Sequence, residues 1–493
     1  MISSYKAQER SHHNTELLRR YFPIALIIFT GTFLRLFLLT HQSLWYDEGI
    51  SLVLSDGDTF QENFAALWSR PGGDKYQPLY YVLLSVWRSL AGDSEFSIRL
   101  FSVLPGIASI AIIYLIAKRL YNERHALWSA LLIASSAFCI YYSQEVRPYS
   151  LQFLLASLQL YLFSGALHGE KTSILAKLPF AVVTAVNFLG GVLLVVFSCA
   201  LALSHLIIYR RSREWFQWWL PAGIAALPMV IYFLSTPGAS NPASDATNGL
   251  GLPVYKNAIF SLYGLLVGIT YGPPLDTIRN AGNLKEVLLP YFPHFLILLL
   301  IGSTLAISLL IHTGLFSKGN TYQSLDDFFL TLFLISFCLA AILAVVTKIN
   351  WMPRHSFYIY LPLCILLPSI LYTRPKHTSL SQPLHLMGQI SRLALIGLVV
   401  ANLYSSYHYF FDSNYWRDDY RSAAQYLVNS REPAEESILL WGTPRLLNYY
   451  GDSKTLYQGT LSSENLAQNI ADITQGADNI FVAVNREFTW LRN

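Results

Sequence analysis

Long apolar stretches separated by short polar segments dominate this sequence. Eleven of them approach the roughly 20 residues that a membrane-spanning helix needs. They are Tyr21–Thr40, Leu100–Ala117, Ala126–Tyr142, Tyr149–Leu167, Leu178–Leu189, Gly190–Tyr209, Trp218–Leu234, Val287–Ile311, Phe328–Val346, His355–Leu371 and Leu386–Tyr407. Between the fifth and sixth stretches, Gly190–Gly191 and Asn187 are the only turn signal. The pattern predicts an all-α polytopic membrane protein.

One further apolar segment, Pro78–Gly92, has only fifteen residues and contains Arg88. If this segment lies in the membrane interface and does not cross, the basic cluster Lys118–His125 falls on the same side as the basic N-terminal tail. The basic residues of the later loops on that side then agree as well. The positive-inside rule therefore favours eleven spans in the cell membrane, with the N-terminus cytoplasmic and the C-terminus extracytoplasmic.

This topology divides the chain into a cytoplasmic tail of residues 1–20, a transmembrane domain of residues 21–411 with a first outer loop at 41–98, and an extracytoplasmic tail of residues 412–493. In that last tail, SILLWGT and NIFVAVN are strand-like, whereas RDDYRSAAQYLVNS and SSENLAQNIADITQG are helix-like. We expect a small α/β domain that carries no catalytic signature and serves as a lid or acceptor platform.

Composition supports a membrane protein. Charged residues make up 13% of the chain, about half the ~25% of ordinary soluble proteins. Hydrophobic residues make up 53%, and the mean hydropathy is +0.38. A chain so poor in charge must expose much of its surface to lipid, which excludes a soluble enzyme and a disordered scaffold. The net charge of +4 does not indicate nucleic-acid binding, and the four cysteines lie in apolar runs as expected of buried small hydrophobic residues.

Two adjacent acids, Asp47 and Glu48, follow the first apolar stretch in the segment SLWYDEGISL. Adjacent acids are common in solvated loops, but here they lie in an aromatic interfacial setting where Asp and Glu are disfavoured. Such a carboxylate can accept a proton from a hydroxyl nucleophile or coordinate a divalent ion. In an extended loop, successive side chains alternate faces, so Glu48 is expected to point away from Asp47.

Other ionisable and polar residues occur at span ends on the same outer side. They are Arg99 at the start of the second span, Glu145, Arg147 and Tyr149 after the third, and Lys348, Arg354 and His355 between the ninth and tenth. Singly, the cations fit snorkelling anchors, and Glu145 with Arg147 fits an ion pair within one loop. Together they form a site suited to an anion with a hydrophobic tail, because an arginine fork donates two hydrogen bonds to a phosphate.

A lipid phosphate lies at this depth, with its tail in the bilayer and its head among cations. A sugar carried by that phosphate would reach the outer acids. The pattern therefore indicates displacement at the anomeric carbon of the sugar, with the lipid phosphate leaving and an acceptor hydroxyl attacking. Asp47 would act as the base or orienting acid, and the arginines would stabilise the departing phosphate.

The same segments carry a family resemblance. WYDEG, QPLYYVLLSVW, FSIRLFSVLPG and YYSQEVRPYSL resemble bacterial membrane glycosyltransferases of the GT-C class. The nearest subgroup is the RgtA/B/C/D-like and protein O-mannosyltransferase-like family, which is related to aminoarabinose transferases. The likeness is close from Arg35 to Leu167. Further along, Pro353–Arg354–His355 resembles the family's Pro-Arg-Tyr start of a late span, and WRDDYRSAAQYL resembles the helix that opens the extracytoplasmic tail.

The resemblance implies a set of site residues. Asp47 matches the first-loop acid regarded as catalytic, and Gln77–Pro78 matches the family's His-Pro-Pro stretch with Gln in place of His. We expect catalytic residues at Asp47, Glu48 and Glu145, and contacts to the donor phosphate or sugar at Arg99, Arg147, Tyr149, Arg354, His355, Gln77 and Tyr80.

The implied donor is a polyprenyl-phosphate-linked hexose or pentose, and the implied acceptor is a hydroxyl of a glycan, lipid or protein at the outer, periplasmic face of the membrane. The surroundings are membrane lipid, and no nucleic-acid partner is expected. No Gly-rich phosphate loop appears, which agrees with a donor that is not a nucleotide sugar. Asp47 and Glu48 are also of the type that holds Mg²⁺ or Mn²⁺, but the resemblance favours no obligatory metal.

Two other functions fit parts of the pattern. A transporter or flippase would place charges near span midpoints, where Arg35 is the candidate, and would show repeat symmetry, which the sequence lacks. A polymerase or ligase of surface polysaccharide would share the lipid-linked substrate but would lack a first loop of the WYDEG type.

Overall fold

The computed structural model of this protein describes residues 19, 21–57, 59–69, 73–168, 173, 175–210, 212–235, 254–279, 281–312, 323–347, 351–372, 381–429, 437–440, 446, 449–451 and 479–482. The predicted cytoplasmic tail lies outside these residues except for Arg19, and so does Lys348. Within the described residues the fold is helical apart from two short strands.

The helices and strands are, in chain order, α1 (Tyr21–Leu36), α2 (Tyr46–Leu54), α3 (Phe60–Ser69), α4 (Pro78–Ala91), α5 (Glu95–Leu120), α6 (Glu123–Ser135), α7 (Ala137–Ser143), α8 (Tyr149–Leu167), α9 (Leu178–Gly190), α10 (Val192–Tyr209), α11 (Ser212–Ser235), α12 (Val254–Val267), α13 (Leu275–Arg279), α14 (Leu284–Leu288), α15 (Phe292–His312), α16 (Gln323–Thr347), α17 (Phe357–Leu366), α18 (Ser381–Phe411), α19 (Tyr420–Asn429), β1 (Ser437–Leu440) and β2 (Asn479–Val482).

Seven described helical segments are long and apolar enough to cross a membrane: Glu95–Leu120, Tyr149–Leu167, Val192–Tyr209, Leu284–His312, Ser324–Val346, Pro353–Leu371 and Leu386–Phe411. The bent pair α6 and α7, with a 55° break, adds an eighth. The segments Tyr21–Leu36 and Leu175–Gly190 are apolar but shorter. Each of the eleven predicted stretches lies on one of these segments or on α11. The helical membrane architecture is therefore confirmed, and the count of eleven spans stays a prediction.

Ring and cation contacts show how the first and last membrane helices are oriented. The start of α1 lies beside the end of α5, because the Lys118 ammonium is 5.7 Å from the centre of the Tyr21 ring. The end of α1 lies beside the end of α18, where the rings of Phe37 and Phe410 are 5.2 Å apart. Asp47 follows this second end, which we call the site end of the bundle. Helices α1 and α18 therefore run towards the site end, and α5 runs away from it.

Helices α9 and α10 form a tight antiparallel hairpin. Phe180 near the start of α9 and His205 near the end of α10 both contact the ring of Phe163, at 5.6 Å and 5.0 Å between centroids. The chain reverses at Gly191, whose φ of 135° is strained for any residue with a side chain. An added Cβ at this position would lie 2.7 Å from the side-chain nitrogen of Gln152. The structure therefore places the chain reversal at the predicted turn.

Arg35 binds the free carbonyl groups at the break between α6 and α7. A helix that ends leaves its last carbonyl groups without partners, which is costly in a buried setting. The Arg35 guanidinium donates to the carbonyl oxygens of Ile133 at 3.0 Å and Ala134 at 3.2 Å, and Ser136 caps the start of α7. Arg35, the mid-span charge that would suit a transporter, therefore satisfies backbone groups of a broken helix.

Helix α4 lies in the predicted first outer loop. Its 14 residues give a length of about 21 Å, short of a hydrocarbon core of about 30 Å. Tyr81 and Leu84 of this helix share a buried cluster with Leu52 of α2 and with Tyr420 and Leu446 of the C-terminal segment. The predicted interfacial position of Pro78–Gly92 agrees with this length, and its depth in a membrane stays a prediction.

The C-terminal segment contains α19 and two parallel strands, with Ser437 opposite Asn479. Both strands lie in the two runs that the sequence predicts as strands, and α19 lies in the first predicted helix. The second predicted helix, within residues 462–476, is outside the described residues, so the complete α/β domain stays a prediction. The segment packs against the predicted first outer loop, where Leu446 fills the space beside Gly49.

Candidate active site

The two acids of the first loop lie on the helix α2 and not in an extended loop, and their side chains still point in different directions. Trp45 precedes the helix, and Glu48 accepts a hydrogen bond from the Trp45 backbone N–H at 3.2 Å, which caps the helix start. Acidic residues in a first turn are also favoured by the helix dipole. On a helix, neighbouring side chains point about 100° apart. Glu48 accordingly points into the protein, whereas the Asp47 side chain is 17% exposed.

Asp47 forms an ion pair with Arg354, although the two residues are 307 positions apart. The Oδ2 atom of Asp47 accepts from Nη1 of Arg354 at 2.9 Å. Arg354 lies in the 3-10 turn Pro353–Ser356, which opens the membrane segment Pro353–Leu371, and its side chain is 32% exposed. The structure thus brings together the predicted catalytic acid and a predicted phosphate ligand at the site end, within reach of solvent.

Glu48 forms a second, fully buried ion pair. Its two carboxylate oxygens accept from Nε and Nη2 of Arg99, at 3.0 Å and 2.9 Å, and the backbone N–H of Val146 donates at 3.0 Å. Burial alone would raise the pKa of the Glu48 carboxyl, but Arg99, Arg417 and the Val146 N–H together outweigh burial and hold the pKa below its usual value. Glu48 is therefore an ionised group that holds α2 to α5.

Arg99 has no free donor for a phosphate. Besides Glu48, it donates to the backbone carbonyl groups of Leu39 at 2.8 Å, Gln42 at 2.8 Å and Ser43 at 3.0 Å. These contacts use all five of its N–H groups. Its predicted role in donor binding stays a prediction that this geometry does not support. The contacts favour a structural role, in which Arg99 shapes the chain between the first span and α2.

Glu145 lies between α7 and α8 and pairs with Arg417 of the C-terminal segment. One carboxylate oxygen, Oε1, binds the guanidinium, and the other, Oε2, is buried with no hydrogen-bond partner among the described residues. Burial raises the pKa of the Glu145 carboxyl to about 7, while Arg417 acts in the opposite direction. The side chains of Glu145 and Arg147 do not pair with each other, although the sequence allowed such an ion pair.

Arg147 instead binds Asp74, at 3.0 Å between Nη2 and Oδ1. The same carboxylate oxygen accepts from the Gln77 amide at 3.1 Å and from the Tyr81 hydroxyl group. Arg147 also donates to the backbone carbonyl of Asp47 at 3.3 Å. This second cluster adjoins α2, so the predicted residues Gln77 and Arg147 lie close to the predicted catalytic acid.

The other predicted ligands have local partners. The Tyr80 hydroxyl is buried and hydrogen-bonded to Ser102 at 2.9 Å. The Tyr149 ring lies 5.1 Å from the ring of Tyr142. The backbone N–H of Met352 donates to Nδ1 of His355 at 3.3 Å, so this ring caps its own turn. Their predicted roles in donor binding stay predictions.

Four charged or polar residues of this region were not predicted from the sequence: Asp74, Lys75, Tyr81 and Arg417. Asp74 and Lys75 are both buried although they precede α4 in the polar run GGDKYQP. Helical spacing could have identified Tyr81, because Tyr80 and Tyr81 lie on different sides of α4 and only one can face Arg147. The motif WRDDYR directly after the last span could have identified Arg417.

A divalent ion at Asp47 and Glu48 does not suit this arrangement, because each carboxylate accepts from a different guanidinium group. Among the described residues no group of three or more His, Cys, Asp or Glu side chains is arranged to hold a metal ion. That the reaction has no obligatory metal stays a prediction.

Comparison with known proteins bears on the fold. Residues 70–235 match the family model described as dolichyl-phosphate-mannose-protein mannosyltransferase. No curated protein sequence matches the chain. Among solved structures, the chain is similar to ArnT from Cupriavidus metallidurans in the apo state, with a TM-score of 0.52 and 13% identity over 94% of this chain and 89% of that one. The chain has the fold of GT-C class membrane glycosyltransferases. The predicted resemblance to the GT-C class is confirmed at the level of the fold.

Two other solved structures are similar at lower scores. ArnT from the same organism bound to undecaprenyl phosphate gives a TM-score of 0.43 and 14% identity, over 93% of this chain and 90% of that one. The oligosaccharyltransferase AglB from Archaeoglobus fulgidus, in complex with an inhibitory peptide and a dolichol-phosphate, gives 0.45 and 11%, over 94% and 70%. The residues that match the family model include Gln77, Arg99, Glu145 and Arg147, whereas Asp47 lies before them in the chain.

Proposed function

We propose that this protein is an integral-membrane glycosyltransferase that moves a sugar from a polyprenyl-phosphate-linked donor to an acceptor hydroxyl at the extracytoplasmic face. The observation that carries the proposal is the pair Asp47 and Arg354, in which a partly exposed carboxylate meets a partly exposed guanidinium at 2.9 Å at the site end. The description of the matching family as a dolichyl-phosphate-mannose mannosyltransferase supports a lipid-phosphate donor.

Arg354 is suited to bind the donor phosphate by its position and because one of its N–H groups has no partner among the described residues. It lies in the first turn of the membrane segment Pro353–Leu371, where a lipid phosphate sits when its chain is in the bilayer. Its Nε group is buried and has no hydrogen-bond partner among the described residues, and Nη1 binds Asp47. A phosphate would satisfy the unpaired group and form charge-assisted hydrogen bonds. It would also compete with Asp47 for the same guanidinium.

That competition gives a reaction sequence. When the phosphate binds Arg354, the Asp47 carboxylate is released and accepts the proton of the acceptor hydroxyl. The acceptor oxygen then bonds to the anomeric carbon, the bond between that carbon and the phosphate oxygen breaks, and the lipid phosphate leaves with the electron pair. Arg354 stabilises the charge that develops on the phosphate, as preorganised donors do in other group transfers. Asp47 afterwards returns its proton to solvent.

Neither alternative function is favoured by a particular contact. Arg35, the charge that suited a transporter, donates to backbone carbonyl groups at a helix break. A polysaccharide polymerase or ligase would use a related lipid-linked substrate, and the same assay distinguishes it by product size.

The direct test is transfer by the full-length protein in lipid nanodiscs, supplied with polyprenyl-phosphate sugars and membrane extract as acceptor. We expect release of polyprenyl phosphate and a glycosylated product with one added sugar. Mass spectrometry of surface glycans and lipid-linked sugars from a strain that lacks the protein identifies the natural pair. Unchanged glycans and unchanged lipid-linked sugars in that strain would refute the proposal.

A further inference from the structure

The C-terminal segment contributes one guanidinium group to the acidic residues of the site. Arg417 binds Glu145 through Nη2, and its Nη1 lies 3.8 Å from Oε2 of Glu48. The guanidinium carbon is 4.8 Å from the ring centre of Trp45 and 4.5 Å from that of Tyr141, within cation–π range of both. Arg417 is therefore held by contacts to α2, to α7 and to the loop that follows α7.

The backbone around Arg417 is held in register with the first outer loop. The Arg417 N–H donates to the side-chain oxygen of Gln42 at 3.2 Å. The Ser43 hydroxyl donates to the carbonyl of Asp418 at 3.1 Å and accepts from the Tyr420 N–H at 3.0 Å. Arg99 binds the carbonyl groups of the same two loop residues. The docking of this segment and the buried Arg99 thus depend on one short stretch of chain.

One carboxylate oxygen of Glu145 is left without a partner among the residues that the structure describes. A buried arginine–carboxylate pair that only stabilises a fold gains most when both oxygens are paired, because an unpaired buried acceptor costs free energy. Here the Oε2 atom of Glu145 is buried and has no partner among the described residues, although Arg417 holds Oε1. A hydroxyl donor from a bound molecule would satisfy it.

We propose that Arg417 is a positioning residue that holds Glu145 so that its second oxygen accepts a hydroxyl group of the sugar donor, and that transfer therefore requires the docked C-terminal segment. This inference rests on the proposed glycosyltransferase function. It gives the segment a part in the active site, where the sequence alone suggested a lid or acceptor platform.

The ionisation of Glu145 provides a measurable consequence. The charged groups with the largest effect on it are Arg417, Glu48, Asp47 and Arg354, of which the two arginines favour its charged form and the two acids oppose it. The titratable tyrosines that also interact with it are Tyr80, Tyr141, Tyr142, Tyr149 and Tyr409. Its pKa is about 7 with Arg417 present. Replacing Arg417 by Gln removes an attraction that lowers this pKa, so the pKa rises. A Glu145 that must be ionised then needs a higher pH, and the acidic limb of the rate profile moves upward.

The test compares Arg417→Gln with Arg421→Gln in nanodiscs. Arg421 is a matched control, because it also docks the segment, through Glu95 and the carbonyl of Thr40, but does not contact Glu145. We expect Arg417→Gln to lower kcat by about tenfold or more at pH 7, since a small misplacement of a substrate contact costs up to about 10²-fold. The donor KM should change little, and part of the lost rate should return above pH 8. Arg421→Gln should keep kcat within about twofold and the wild-type pH profile, as expected for a partly exposed ion pair.

A double-mutant cycle separates positioning from general stability. In a Glu145→Gln background, Arg417→Gln should cause little further loss of kcat, because the residue it positions is already altered. Three results would overturn the role: wild-type kcat in Arg417→Gln, the same loss in the Glu145→Gln background, or an equal loss in Arg421→Gln. A wild-type protein without transfer would refute the proposed function itself, and this inference with it.

Discussion

The change from Asp47 to Asn tests the central assignment most directly. The substitution keeps the size of the side chain and its ability to accept a hydrogen bond from Arg354, which the carboxylate binds at 2.9 Å, but removes its basicity. General base catalysis contributes typically 10²–10⁴-fold, so we expect kcat to fall by about that factor. The variant should fold normally, because the Asp47 side chain is partly exposed and the buried acid of α2 is Glu48.

Donor affinity gives a second readout with the opposite sign. In the wild-type protein the phosphate must displace a carboxylate from Arg354, and this pair is only partly buried. A neutral Asn competes less for the guanidinium, so the donor dissociation constant should stay the same or fall by a few fold. A structural role for Asp47 would instead weaken donor binding and activity together.

The assay measures single-turnover transfer and equilibrium binding of the donor to protein in nanodiscs. Asp56→Asn is the matched control, because Asp56 lies in the same loop and its side chain, which is 35% exposed, pairs with Arg88 at 3.0 Å. Exposed ion pairs contribute about 0–1 kcal/mol. It should keep kcat within about twofold. If Asp47→Asn retains more than about a tenth of wild-type turnover, the base is Glu145 or Glu48 and the assignment fails.

Three further predictions concern Arg354, Glu48 and the membrane topology. Arg354→Ala should raise the donor dissociation constant by about 30-fold, which is equivalent to about 2 kcal/mol for a lost charge-assisted contact. Binding measurements that give an unchanged affinity would show that Arg354 only anchors the helix. Glu48→Gln should lower the free energy of unfolding by about 3–5 kcal/mol, because it leaves Arg99 buried and partly unpaired; thermal unfolding in detergent checks this, and an unaltered midpoint would contradict it. A reporter that is active only in the cytoplasm should be silent when fused after Asn493, and activity there would overturn the predicted topology.

Local pattern was enough for the architecture. Apolar stretches of spanning length predict membrane helices because backbone groups in lipid must be paired within the helix, and no tertiary contact is needed to know this. The turn at Gly190–Gly191 was predictable for a similar reason, since only glycine readily adopts the φ that Gly191 has. The sequence also placed Asp47 and Arg354 at span ends on one side, which makes them candidates for one site.

Tertiary structure decided which of these candidates meet and which are already engaged. Arg99 and Arg354 have the same chemistry at comparable positions in sequence. The carbonyl groups of Leu39, Gln42 and Ser43 converge on Arg99 and use its donors, whereas the Nε group of Arg354 has no partner within the described part of the chain. No periodicity encodes that convergence. Likewise, the pairing of Arg417 with Glu145 joins residues 272 positions apart. Such long-range partners depend on how the helices pack against one another, and the sequence pattern along any single helix does not contain that information.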